Sequence, residues 1–147
     1  MGVGFRAVVA LALAGVSLAS FAARHEVKML NQGEDGVMVF EPGYLRAEVG
    51  DTVTFVPTDP AHNSVSDAIP NGARAWNGAL NETVTVTLEK EGIYLYKCTP
   101  HLPLGMVGVI QVGKPVNMDN VRLAADALSA GIAANKERLQ KYLGQVQ

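Results

Sequence analysis

Hydrophobic and polar residues alternate in short runs over most of the chain, and turn residues punctuate them. Glu26–Leu30 is followed by Asn31-Gln32-Gly33 and the Asp35-Gly36 turn signal, and Val37–Phe40 ends at Pro42-Gly43. Thr52–Val56 puts Val53 and Phe55 on one face and stops at Pro57, while Thr83–Leu88 puts Val84, Val86 and Leu88 opposite its threonines. Ile93–Cys98 and Val107–Val112 complete the set. A period of two in runs this short predicts strands, arranged as an antiparallel sandwich or barrel rather than a parallel sheet. Between Asp59 and Leu80 no period is visible. That stretch reads as a long irregular connection, the kind of segment that carries function.

After Pro115 the texture changes. Val121, Ala124, Ala125 and Leu128 fall at helical spacing, as do Leu139, Tyr142, Leu143 and Val146, with Gly131 between the two groups. Two amphipathic helices are predicted, over about 117–129 and 132–144. Their apolar stripes need a surface to cover. Ile93 and Leu95, on the strand face opposite Tyr94, Tyr96 and Cys98, offer an outer face of the sandwich.

The amino terminus follows neither pattern. Arg6 precedes an apolar run from Ala7 to Ala23, and Ser20 and Ala22 stand where a signal peptidase wants small residues. Residues 1–22 read as an export signal cleaved after Ala22, leaving 23–147 as one domain with no membrane attachment. The run is short for a span of about 20 residues and rich in Ala, Ser and Gly, which argues against a retained anchor. With 48% hydrophobic and 18% charged residues the composition is globular, and a monomer is expected. A formal charge of −2 supplies no basic field for nucleic acid.

A single cysteine, Cys98, excludes an intramolecular disulfide and a four-cysteine zinc site. In an oxidising compartment a free thiol is itself oxidised unless it is buried or ligated. Cys98-Thr-Pro-His101-Leu-Pro-Leu-Gly-Met106 joins two predicted strands, so thiolate, imidazole and thioether can converge. Sulfur with imidazole selects copper or zinc. Two histidines and a thiolate in a plane with a distant axial thioether is the electron-transfer copper arrangement, whereas structural zinc wants four strong ligands. Of the two other histidines, His25 lies at the mature amino terminus and reads as a mobile surface residue. His62, in the irregular segment after the Thr52–Val56 run, is the choice for the second imidazole. Backbone N–H groups near the Cys98 sulfur are expected to stabilise its thiolate, and Pro100 stiffens the approach to His101. Leu102, Pro103 and Leu104 are expected to surround the His101 ring edge as an apolar docking patch. A cysteine hydrolase would leave Met106 without a role; no enzyme activity is expected. Copper delivery is the alternative to electron transfer.

The chain also resembles the pseudoazurins, small periplasmic blue copper proteins of the cupredoxin superfamily. The resemblance runs through Met29-Leu-Asn, Met38-Val-Phe-Glu-Pro, Gly50-Asp-Thr-Val-Thr-Phe, Pro57-Thr-Asp, His62-Asn, Ile69-Pro-Asn-Gly-Ala, Lys97-Cys-Thr-Pro-His and Gly105-Met-Val-Gly-Val, and it includes the paired terminal helices. It implies an all-β fold, a cupredoxin-like Greek-key β-sandwich of about eight strands with two C-terminal α-helices packed on it. It implies one type 1 copper ion held by His62, Cys98, His101 and Met106. It also implies one-electron transfer to redox proteins, copper nitrite reductase and c-type cytochromes among them. Asn63 matches the residue that ties the His62 loop to the Cys98 loop, and Met38 a position beside the exposed histidine ring. Two departures stand out. Positions where the family often carries lysines are Gln32, Pro60, Ala75 and Asn77, with Lys97 retained, and Ala61 replaces the usual glycine before His62.

Overall fold

A computed structural model describes residues 1, 2 and 21–147; most of the proposed export signal lies outside them. Among the described residues, eight strands form two four-stranded sheets. They are β1 (Arg24–Gly33), β2 (Gly36–Glu41), β3 (Tyr44–Ala47), β4 (Thr52–Val56), β5 (Val65–Ala68), β6 (Val84–Thr87), β7 (Gly92–Lys97) and β8 (Val107–Val112). One sheet runs β2-β1-β4-β6 and the other β3-β8-β7-β5. The pairing is mixed, not purely antiparallel: β1 lies parallel to β4, and β3 parallel to β8. Alternation reports that one face of a strand is buried and is blind to the direction of its neighbour.

The core lies where the alternation puts it. Val27, Met29, Phe40, Val53, Phe55, Leu88, Tyr94, Tyr96, Ile110 and Val112 fill the space between the sheets, together with Trp76. The helices α1 (Met118–Ser129) and α2 (Arg138–Leu143) cover the outer face of the second sheet. Val121, Ala125, Leu128, Leu139, Tyr142 and Leu143 pack there on Ile93, Leu95, Val107 and Val109. Burial of aliphatic side chains such as Val121 and Leu128 contributes about 1.5–3 kcal/mol each. Asn117, just before α1, fixes the dock. Its amide oxygen accepts from Ile93 N–H (2.7 Å) and its Nδ2 donates to Ile93 O (2.9 Å), completing a stretch of β7 that β5 does not reach.

The β7–β8 hairpin is therefore buried on both sides; every residue of β8 and all of β7 except Lys97 is buried. Tyr96 lies across from Gly108, where a Cβ would stand 2.2 Å from the Tyr96 ring, so only glycine admits the ring. Such two-sided burial resists local opening, and the cysteine and methionine of the singled-out loop are anchored at the end of this hairpin.

Three expectations need correction. His25 is no mobile terminus: it pairs with Val53 within β1, and its Nε2 lies 2.8 Å from Asp51 Oδ2. The irregular stretch contains a short edge strand, β5, which carries a register shift. The second helix begins at Arg138 rather than 132, because the Ala133 and Ala134 amides bond to Pro103 O and Asn135 adopts a left-handed φ of 56°. Among the described residues no helix is long and apolar enough to cross a membrane.

Candidate metal centre

Cys98 follows β7 directly, and the chain then folds back within a few residues. Leu104 N–H donates to His101 O (3.0 Å), Gly105 N–H to Leu102 O (2.9 Å), and Met106 N–H to His101 O (3.2 Å). Cys98 N–H donates to Met106 O (3.0 Å), which closes the loop at its base. A 3₁₀ turn over Leu102–Leu104 holds the apex, and Gly105 leaves it with a φ of 76°. Cys98 and Met106 are both fully buried in the core cluster between the sheets.

His62 comes from the other sheet's side, beyond β4. Its carbonyl accepts from Asn81 N–H (2.8 Å), and Ser64, two residues on, is buried and accepts from the Trp76 indole (2.9 Å). The ring is fully buried. Its Nε2 donates to Asn31 Oδ1 at 2.9 Å, which leaves Nδ1 as the bare nitrogen facing the loop. That nitrogen lies 3.8 Å from Cys98 Sγ and 3.0 Å from His101 Nδ1, and His101 Nδ1 lies 3.5 Å from Cys98 Sγ. Three donors, two imidazole nitrogens and a sulfur, thus gather within 4.8 Å of one another.

The electrostatics fit a cation. Burial pushes the Cys98 thiol up, and the backbone N–H groups of Asn63 and His101 act against it by donating toward the sulfur. Burial, reinforced by His101 and opposed by Asp59, pushes His62 below the usual imidazole range. Imidazole nitrogens beside a hydrogen-bonded sulfur suit a soft or borderline metal ion, whose binding would release the thiol's proton to solvent.

The predicted residues around this cluster fall as follows. Asn63 bridges the two loops: its Oδ1 accepts from Thr99 N–H (2.8 Å) and its Nδ2 donates to Gly78 O (3.2 Å) and Thr99 Oγ1 (3.3 Å). Pro100 is exposed in the turn between Cys98 and His101. Met38 is half-buried, packs on the cluster that holds Cys98 and Met106, and has a left-handed φ of 50°. Of the apolar patch, Pro103 and Leu104 are exposed, while Leu102 is half-buried against the helices. Asn31, expected from the local pattern to begin a turn, holds the His62 ring instead. It lies inside β1, and no local pattern could link it to a histidine so distant in sequence.

Fold and donor set together define a cupredoxin-type copper protein. The chain matches the copper binding proteins of the plastocyanin/azurin family over residues 27–113. It is 44% identical to the pseudoazurin of Paracoccus pantotrophus, with 95% of each chain covered. It is 36% identical to that of Methylorubrum extorquens, over 97% of this chain and 98% of the other. The crystal structure of native pseudoazurin from Hyphomicrobium denitrificans superposes with a TM-score of 0.74 at 41% identity, covering 85% of this chain and 99% of that one. The chain belongs to the plastocyanin/azurin copper-binding family and, within it, to the pseudoazurins. It is a type 1 copper electron carrier and not an enzyme.

Proposed function

We propose that this protein is a monomeric periplasmic carrier that holds one type 1 copper ion between His62, Cys98, His101 and Met106. It passes single electrons to a reductase of the copper nitrite reductase kind, with c-type cytochromes as further redox partners. The observation that carries this reading is the convergence of His62 Nδ1, Cys98 Sγ and His101 Nδ1 at the end of the β7–β8 hairpin. When bound, the metal supplies a one-electron couple between its cupric and cuprous forms.

The chain's own residues do the rest. Asn31 holds the His62 ring in the tautomer that points Nδ1 inward. Asn63 locks the two loops together, so the donors move little when the charge at the centre changes. Burial of Cys98 keeps water and oxidants from the sulfur. Pro100 stiffens the turn before His101, and the thioether of Met38 adds a polarisable wall. The half-buried His101, beside exposed Pro103 and Leu104, forms the docking face. Lys97 is paired with Asp67 at 2.7 Å, so it adds little charge to that face, and docking depends on apolar contact more than on steering. Copper delivery, the alternative, is disfavoured because the donors are rigid and mostly buried. Export fits the start of the fold: Ala23 N–H bonds Asp51 Oδ1 at 2.7 Å, so a cut after Ala22 leaves β1 whole.

The test is Cu(II) addition to the metal-free protein. An intense visible thiolate band that disappears in Cys98→Ser is expected, and its absence would overturn the copper reading. Leu104→Asp should slow transfer to a reductase while the band stays unchanged; unaltered kinetics would refute the docking face. The periplasmic protein should begin at Ala23 on amino-terminal sequencing.

A further inference from the structure

The stretch between the two helices meets the loop that precedes Met106 one carbonyl after another. Ala133 and Ala134 N–H groups donate to Pro103 O (2.8 and 3.0 Å), Asn135 Nδ2 donates to Leu104 O (2.9 Å), and Arg138 Nη1 donates to Gly105 O (3.0 Å). The next residue is Met106. Approach is close as well: a Cβ on Gly105 would stand 2.9 Å from Ala134 O and 3.0 Å from Asn135 O.

Arg138 is only 3% exposed, and its hydrogen bonds all go to backbone carbonyls. Besides Gly105 O it reaches Met38 O (2.8 Å), and its Nη2 reaches Asp35 O and Val37 O (both 3.0 Å). Burying a guanidinium is costly even when it is fully bonded. Here the planar fork joins the β1–β2 turn and the start of β2 to the ligand loop, a span that a single-point cation cannot cover. The segment is bent for this purpose. Asn135 takes a left-handed φ, and the alanine amides leave the helix to face Pro103.

We propose that Ala133–Arg138 is a positioning device for Met106, and that Asn135 and Arg138 tune the copper site from outside its ligand set. This rests on Met106 being a ligand. A thioether–copper bond is long and weak, so the metal does not dictate where the sulfur sits; the backbone that carries it does. Three consecutive loop carbonyls held by one external segment fix that backbone.

Three variants and one control test this. Asn135→Gly keeps the left-handed backbone and removes the amide donor. Arg138→Lys keeps the charge and loses the fork. Val121→Ala destabilises α1 without touching the loop. Expected in the first two are an altered ratio of the visible bands, an altered EPR pattern and a shifted reduction potential. In the metal-free protein, exchange of the Met106 amide should also be faster by about tenfold, as befits losing a hydrogen bond of this kind. Val121→Ala should lower the melting temperature and leave the spectrum and potential as they are. Lower stability with unchanged spectra in Asn135→Gly and Arg138→Lys would overturn the proposal, reducing the segment to a staple. If Arg138→Lys fails to fold, Asn135→Gly decides alone. Met106→Leu separates the two readings. An unchanged spectrum there refutes the ligand assignment itself, while a changed one beside unchanged segment variants refutes only the positioning.

Discussion

In Asn31→Ala the ring of His62 loses the acceptor that fixes its tautomer. The magnitude follows from exposure. His62 is fully buried, and a donor stranded in such a place would cost about 1–3 kcal/mol. Asn31 itself is exposed, so in the variant water reaches Nε2 and accepts in its place. What is lost is a fixed acceptor exchanged for a mobile one, at the low end of that range. Outer partners of metal-bound histidines are worth about 10–100-fold in affinity, and the exposure of Asn31 puts the expected loss near tenfold. The assay is competition for Cu(II) against a chelator, read on the thiolate band, beside urea unfolding of the metal-free protein. The backbone bond from Asn31 N–H to Asp59 Oδ2 (2.7 Å) survives the substitution, so the loop stays in place. An affinity unchanged within about twofold would refute the reasoning, because burial alone would then be orienting the ring. A loss beyond about a thousandfold would refute it too, since orientation by one hydrogen bond cannot supply so much.

The remaining predictions concern stability and pH. The Tyr96 hydroxyl is buried with no hydrogen-bond partner among the described residues, so Tyr96→Phe should stabilise the fold by about 1 kcal/mol. A higher urea midpoint at constant slope would show this, with the visible band unmoved; a lower midpoint would count against it. Ala61 has a φ of 70°, a conformation that disfavours L side chains, so Ala61→Gly should add about 0.5–1 kcal/mol by the same measurement. Asp51 is held below the usual carboxylate range by bonds from Glu48 N–H, His25 and Ala23 N–H, with burial acting against them. A carboxyl depressed on folding contributes stability above its unfolded value, near 3.9, and loses it as the pH falls further toward the folded value. Asp51→Asn should therefore flatten the acid limb of the stability curve below about pH 4, and an unchanged limb would show that other carboxylates set it.

The inner faces of β4 and β6 were legible because one covered face imposes alternation on every second residue, while β7 and β8, buried on both sides, showed only as short apolar runs bounded by turn residues. The donor loop was legible because Cys98, His101 and Met106 lie within one turn of chain, and His62 because so few histidines compete with it. What stayed hidden is what depends on contacts between distant segments. β3 and β5 are four-residue strands at sheet edges, too short to show a period, and β5 carries a register shift. The Asn31–His62 bond, the His25–Asp51 pair and the grip of Ala133–Arg138 on the ligand loop join residues with no local signal between them. The second helix was over-extended for the same reason: an intact apolar stripe gives no warning that its first residues bond elsewhere.

The two imidazoles at the centre are unequal. His62 is fully buried with its Nε2 on Asn31, whereas His101 is only half-buried. The centre thus has a back wall and a doorway. On the function proposed above, metal loading and electron exit share that doorway, and a partner seated over Leu104 would also close the route by which the ion could escape.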